Sequence, residues 1–373
     1  MEALILSCGT GGGHNSATMA VADAWRRRGH EAVLLDPYQL VSENVAMNVG
    51  DLYVKLVQHS PRLFGCVYSL GEAYRRMPIH SPVYWANGKA AFNMQEYLET
   101  HRFDWIVMTH MYPAHILDHL RDKMALPKTV LVSTDYTCIP FMEESNCDYY
   151  VIPSSDLYEE YCARGIPGNK ILPYGIPVRR EFSQGRSKSD ARAELGLSDE
   201  KKYILLSGGS IGVGELDKTA LVLEQFLEEN KDCRLLIVCG NNERLYAGLQ
   251  KKYAGHPQIR VMASTPKMAA YMEACDLFIS KPGGLSSTEA AVCGAPLIHV
   301  SPIPGCEQRN AEFFCARGMS RFVNAPSEDL LPALHSLQQG NSLEEMRSAQ
   351  WRCINPHAAD DLCAFMERSS SLS

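Results

Sequence analysis

Short apolar runs recur along this chain, each closed by a glycine or polar break and followed by a stretch whose apolar residues fall at helical spacing. In the first half, Ala3 to Ser7, Ala32 to Leu35, Trp105 to Thr109, Thr129 to Ser133 and Asp148 to Pro153 read as strands, and Lys170 to Pro177 as a strand and rigid turn. In the second half the same reading falls on Tyr203 to Ser207, Leu235 to Cys239, Ile259 to Met262, Leu277 to Ile279, Leu297 to Val300 and Arg321 to Val323. Consecutive apolar positions suit parallel strands buried on both faces. Helices are expected at Ser16 to Arg28, stopped by Gly29, and at Ser155 to Arg164, Lys218 to Glu229, Leu245 to Lys252, Met268 to Ala274, Ser286 to Val292, Ala311 to Arg317 and Ala358 to Arg368. Strands alternating with helices predict an α/β protein built on parallel sheets.

The opening pattern of strand, glycine loop and helix at 3–28 returns at 203–229, across a polar stretch, Arg179 to Lys201. Two Rossmann-like domains are therefore expected, at 1–177 and 178–350, with a C-terminal helix in 351–373 packing back on the first. A chain of 373 residues is long enough for two separate cores. The formal charge of −7 argues against nucleic acid as a partner, because phosphate-backbone binding needs a basic face. Thirteen cysteines without a CxxC pair fit reduced thiols in a cytosolic protein. The opening apolar run is too short for a secretion signal, and no run of about eighteen apolar residues occurs, so a cytoplasmic protein is expected, or one bound to a membrane from that side.

The candidate chemistry concentrates in Ser280 to Asn310. Gly283 and Gly284 let the backbone turn at the end of a strand, and the free N–H groups at the start of the next helix, around Leu285 and Ser286, would face an anion. Glu289, one turn into that helix, can accept two hydrogen bonds from a ribose diol. Pro302, Pro304 and Gly305 stiffen a loop carrying Glu307, Gln308 and Asn310, whose mixed donors and acceptors suit the hydroxyls of a hexose. An ordinary βαβ connection with polar surface residues is the alternative; the order of the features favours a nucleotide-sugar site.

This stretch, KPGGLSSTEA followed by PIPGCEQRN, resembles the donor half of glycosyltransferase family 28, above all the monogalactosyl- and glucosyl-diacylglycerol synthases. The resemblance implies the GT-B fold, two Rossmann-like domains with parallel sheets facing a central cleft. It also extends to the first glycine loop, Gly9 with Gly11, Gly12 and Gly13. That loop is neither a dinucleotide fingerprint, since His14 occupies the third glycine position, nor a P-loop. GGGHNSA is similar to the family's N-terminal loop, whose histidine lies at the catalytic centre, and His14 matches it. TDYTCIPF resembles the family's Thr-Asp-aromatic segment and makes Asp135 the second catalytic candidate; where diacylglycerol glycosyltransferases usually carry a histidine four residues later, this chain has Ile139. SGGS resembles the second glycine loop, placing Gly208, Gly209 and Ser210 at the donor diphosphate, and Met268 is a candidate near the uracil.

Between Pro37 and Trp85, aromatic and apolar residues with Lys55, Arg62, Arg75 and Arg76 support either a helix pair on the core or an interfacial surface admitting a lipid; Leu52, Leu56, Leu63, Phe64, Val67 and Leu70 form its stripe. In the family this region faces the membrane. His115 and His119, one turn apart, could share a metal, but no carboxylate or cysteine stands at ligand spacing, and a helix surface is the favoured reading.

The expectation is an inverting transfer of glucose or galactose from a UDP-sugar to a lipid hydroxyl such as that of diacylglycerol, on the cytoplasmic face of the membrane, with His14 as base. No Asp-x-Asp occurs, so leaving-group stabilisation by helix N-termini without a metal cofactor is expected. A UDP-GlcNAc-dependent transferase acting on a polyprenyl-linked acceptor, an enzyme that frees UDP by epimerising the sugar, and a nucleotide-sugar sensor without turnover are the alternatives.

Overall fold

The computed structural model of the chain describes residues 1–9, 12–47, 61–75, 77, 79–212 and 214–371, with the backbone alone for 61–64. The chain divides into two compact units: Met1–Arg179 with Pro304–Cys306 and Asn355–Ser373, and Arg180–Ile303 with Glu307–Ile354. Each is an α/β layer structure around one parallel sheet.

In the first unit the strands are β1 (Glu2–Leu6), β2 (Glu31–Leu35), β3 (Trp105–Met108), β4 (Lys128–Val132), β5 (Tyr149–Val151) and β6 (Ile171–Leu172), in the order β2-β1-β3-β4-β5-β6. Leu6 lies beside Met108, and Met108 beside Leu131, so three strands end level with one another. The strand order reverses between β1 and β3, which opens a crevice beyond their carboxyl ends. The helix Gly12–Arg27 covers one face through Ala17, Ala20, Val21, Ala24 and Trp25. The helix Ala358–Ser371 completes that core with Leu362, Cys363 and Met366 against Trp25 and Trp105. Its rim is tied by Arg28 and His30 to Glu367, at 2.6 and 2.8 Å, and by Arg27 to Asp360 at 3.1 Å.

The second unit carries β7 (Lys202–Ser207), β8 (Cys233–Val238), β9 (Ile259–Met262), β10 (Leu277–Ser280), β11 (Leu297–Val300) and β12 (Arg321–Val323), ordered β12-β11-β10-β7-β8-β9. Counted from β7 this is the doubly wound order 3-2-1-4-5-6, with its reversal between β7 and β10, where Ser207 lies beside Ser280. The helix Gly284–Cys293 follows β10 and stops at Gly294, whose φ of 67° is left-handed; a Cβ there would come within 2.7 Å of the Trp351 ring.

Three differences from the sequence reading bear on the site. The first helix begins at Gly12, so Gly12, Gly13 and His14 form its first turn instead of a loop; Gly11 lies outside the described residues. The helix after β10 begins at Gly284, two residues before the expected Ser286. Glu307, Gln308 and Asn310 stand on the helix Cys306–Ala316 and not on a loop. There the break ends at Gly305, with a φ of 114°, and Glu307 favours a helix start from its first turn. Of the apolar stripe, Leu52 and Leu56 lie outside the described residues, as do Lys55 and Arg76. Among the described residues no helix is long and apolar enough to cross a membrane.

Candidate functional site

In the first unit, three strand ends bring together residues far apart in sequence. His14, in the first turn after β1, places Nδ1 2.8 Å from the backbone oxygen of Thr109, just past β3, and 3.1 Å from Oγ1 of Thr134, just past β4. A carbonyl only accepts, so the imidazole proton sits on Nδ1 and the lone pair on Nε2. Thr18, one turn on, donates to the His14 carbonyl at 2.9 Å and pairs with the Thr109 hydroxyl at 2.8 Å, fixing the helix start to the end of β3. Burial lowers the His14 pKa below its ordinary value; the Asp135 carboxylate and the Thr109 carbonyl oppose that fall. The ring is therefore neutral at pH 7, with Nε2 ready to take a proton.

Both His14 and Asp135 line a cavity of about 630 Å³. Away from them its walls are mainly apolar, including Val41, Val67, Val83 and Phe141, with Ile139 half-buried among them. His110, directly past β3, lines the same cavity and packs edge-on against His14, with ring centres 4.6 Å apart at 82°. His115 and His119 take no part: His115 accepts from Asn87 at 3.1 Å and donates to the Phe141 carbonyl at 2.9 Å, and His119 bonds the Tyr84 carbonyl at 3.1 Å. Burial brings His115 down to about 4. Both rings are spent on holding the helix Met111–Asp118 in place.

The second unit uses backbone and a cation where the first uses rings. After β7, Gly209 N–H donates to Ser207 Oγ at 3.2 Å, and its φ of 70° turns the chain. Gly208 is buried and Ser210 exposed. After β10, Gly283 precedes the helix without a side chain to cap its amides, which leaves those N–H groups for an anion. Leu285 is buried in the core, so only its backbone is placed to serve a ligand. Ser286 turns its hydroxyl back to the Gly283 carbonyl at 3.2 Å. Glu289 is buried one turn into the helix, and Met268 half-buried at the start of its own.

Glu307 and Asn310 hold the glycine turn itself. Glu307 pairs with the Lys281 ammonium and accepts the Ile303 N–H at 2.9 Å; Asn310, fully buried, donates to the Pro282 carbonyl at 2.9 Å. Gln308 instead reaches Glu312, 3.2 Å away. Lys281 lies between the two turns: a Cβ on Gly209 would come within 3.3 Å of its Cε, and one on Gly283 within 4.0 Å of its Nζ. Sequence reasoning did not single out Lys281, Thr109, Thr134 or His110. The signal was position: Thr109 and Lys281 directly follow β3 and β10, and His110, Thr134 and Asp135 lie within the few residues past β3 or β4.

Two family models match the chain. Residues 14–178 match monogalactosyldiacylglycerol (MGDG) synthase, and residues 203–359 match the glycosyltransferase family 28 C-terminal domain. A processive diacylglycerol β-glucosyltransferase of Bacillus pumilus is 27% identical over 99% of this chain and 95% of its own length. Acinetobacter baumannii MurG shares the fold with a TM-score of 0.62 at 17% identity, covering 98% of this chain and 99% of that one. The S. aureus MnaA structure with UDP does so with a TM-score of 0.69 at 10% identity, over 100% and 98%. The two sheets and these neighbours give the GT-B fold.

Proposed function

Because this chain belongs to glycosyltransferase family 28, with its first unit of the monogalactosyldiacylglycerol synthase type, we propose that it transfers a hexose, glucose or galactose, from a UDP-sugar to the free hydroxyl of a diacylglycerol. The observation that carries this reading is the neutral His14 imidazole, its proton held on Nδ1 and its Nε2 lone pair beside a large apolar cavity. The acceptor's chains occupy that cavity and its hydroxyl meets Nε2. The hydroxyl oxygen forms a bond to the anomeric carbon as the bond to the β-phosphate oxygen breaks; UDP leaves with the electron pair, and the proton passes to His14 Nε2. One displacement inverts the anomeric centre. Asp135 stabilises the imidazolium that forms, through the same electrostatic attraction that already opposes the fall in the His14 pKa.

On the second unit the diphosphate lies at the Gly208–Ser210 turn and at the Gly283, Gly284, Leu285 and Ser286 amides, with Glu289 on the ribose and Met268 near the uracil. Gln308 is the hexose contact of the Glu307–Asn310 segment, because Glu307 and Asn310 are engaged with Lys281 and Pro282. Helix amides and the Lys281 cation balance the departing charge without a divalent metal.

The rim of the acceptor cavity supports action at a membrane surface. Val41 and Val67 line the cavity and are also exposed, and Leu70, Trp85 and Phe92 of the same unit are 69, 62 and 66% exposed. We place the enzyme peripherally on the cytoplasmic face.

The test is UDP release from a panel of UDP-sugars with and without diacylglycerol micelles. Release that needs one UDP-hexose and the lipid together is expected; lipid-independent release, or none with any UDP-hexose, overturns the proposal. Activity is expected to survive EDTA, and full dependence on added Mn²⁺ would remove the metal-free leaving-group role.

A further inference from the structure

Beside His14, the acceptor cavity holds a second imidazole of opposite tautomer. His110 caps the helix Met111–Asp118: its Nδ1 accepts the Tyr112 N–H at 3.2 Å. An amide N–H only donates, so Nδ1 carries the lone pair. Burial, with His14 and His115 as neighbours, drives the His110 pKa well below its ordinary value, so the ring is neutral and its single proton sits on Nε2. Among the described residues no group bonds that Nε2. His110 is a buried residue that also lines the cavity, 4.6 Å from the His14 ring. The wall thus sets one acceptor, His14 Nε2, beside one donor, His110 Nε2–H, in a cavity whose walls are mainly apolar.

That pair is complementary to a hydroxyl with an ester on the neighbouring carbon. The hydroxyl donates to His14, and the ester carbonyl, which can only accept, receives the proton of His110. We propose that His110 is an acceptor-positioning residue that reads the ester carbonyl adjacent to the attacking hydroxyl, and so selects acylglycerols over lipid alcohols that lack one. This rests on the reading of the first unit as the acceptor side. A buried donor left without a partner costs enough to give about a tenfold preference or more. The contact is made alike in ground and transition states, so it acts on KM with little change in kcat.

The experiment compares 1,2-dioleoylglycerol with the chain-matched 1,2-dioleyl ether, which keeps the hydroxyl and the chains but has no carbonyl. Wild-type enzyme should favour the ester about tenfold or more in kcat/KM, mostly through KM. His110→Asn keeps an acceptor where Nδ1 caps Tyr112 but places nothing at Nε2, and its ester-to-ether ratio should fall close to one. His110→Gln restores an N–H near the Nε2 position and should recover part of the preference, despite losing the cap. Equal use of ester and ether by the wild type overturns the inference while the acceptor assignment stands, and so does an unchanged preference in His110→Asn. Activity on neither lipid overturns the acceptor assignment and the inference with it. Even if His110→Asn does not fold, equal use of ester and ether by the wild type, or a full ester preference kept by His110→Ala, overturns the inference.

Discussion

The two units place their chemistry at the same topological point and equip it in opposite ways. In each, the sheet order reverses beside the first strand, and the loops beyond β1 and β3, or beyond β7 and β10, flank the crevice. The first unit fills that point with titratable rings whose protons are assigned by backbone partners: His14 by the Thr109 carbonyl, His110 by the Tyr112 amide. The second fills it with glycine-freed amides and a lysine held by Glu307. A strand order says where a ligand meets the sheet. The side chains carried just beyond the strands set what that place presents, neutral imidazoles in the first unit and free amides with an ammonium in the second.

Loss of the key side chain should affect the two units differently. His14→Ala should reduce transfer about a hundredfold to ten-thousandfold and leave the Kd for UDP, by calorimetry, unchanged. An unchanged rate would remove the base. Lys281→Met should cost about a hundredfold in transfer and also weaken UDP binding, because the same cation serves bound and departing diphosphate. UDP affinity equal to wild type would make Lys281 only a partner for Glu307. The pH profile sharpens the contrast. The His14 pKa is lowered, so kcat/KM should rise with pH through an apparent pKa below 6.5 and stay level above it; a limb centred above 7 that vanishes in a His14 variant would contradict the burial that governs this ring.

Smaller effects test the supports. Asn310→Ala removes the bond to the Pro282 carbonyl and should cost about 1 kcal/mol of unfolding free energy, with a modest loss of UDP affinity and no change in the pH profile. Glu367→Gln should matter least. Hydrogen bonds from Arg28 and His30 hold the Glu367 pKa down at about 2, so its contribution to stability is present above its unfolded value near 4.5 and is lost as the pH falls from there toward 2. The variant should melt no more than about 2 °C below wild type at pH 7, and the gap should close in acid.

The sheets were legible in the sequence because their apolar runs are short, nearly continuous and followed by glycine or polar breaks, as at Ala3 to Ser7 before Gly9 and Tyr203 to Ser207 before Gly208. The site was legible only where one segment carries its parts, as from Ser280 to Asn310. Even there Pro302, Pro304 and Gly305 read as the frame of a loop, while the helix starts one residue past Gly305, and Glu307 and Asn310 turn back to Lys281 and Pro282. The partners of His14 could not be read, because Thr109 and Thr134 stand 95 and 120 residues away and meet it only when β1, β3 and β4 end together. The tautomers follow from those contacts and have no sequence signal at all.

The helix Ala358–Ser371 also orders events in time. It supplies Leu362, Cys363 and Met366 to the core around Trp25 and Trp105, yet it is made after every strand of both sheets. In chain order the second unit, whose segments are complete by Ile354, is complete before the helix that covers the first sheet on that face. The amino-terminal half is thus the later of the two to be completed, and a chain truncated at His357 would carry every segment of the second unit but a first unit without its closing helix.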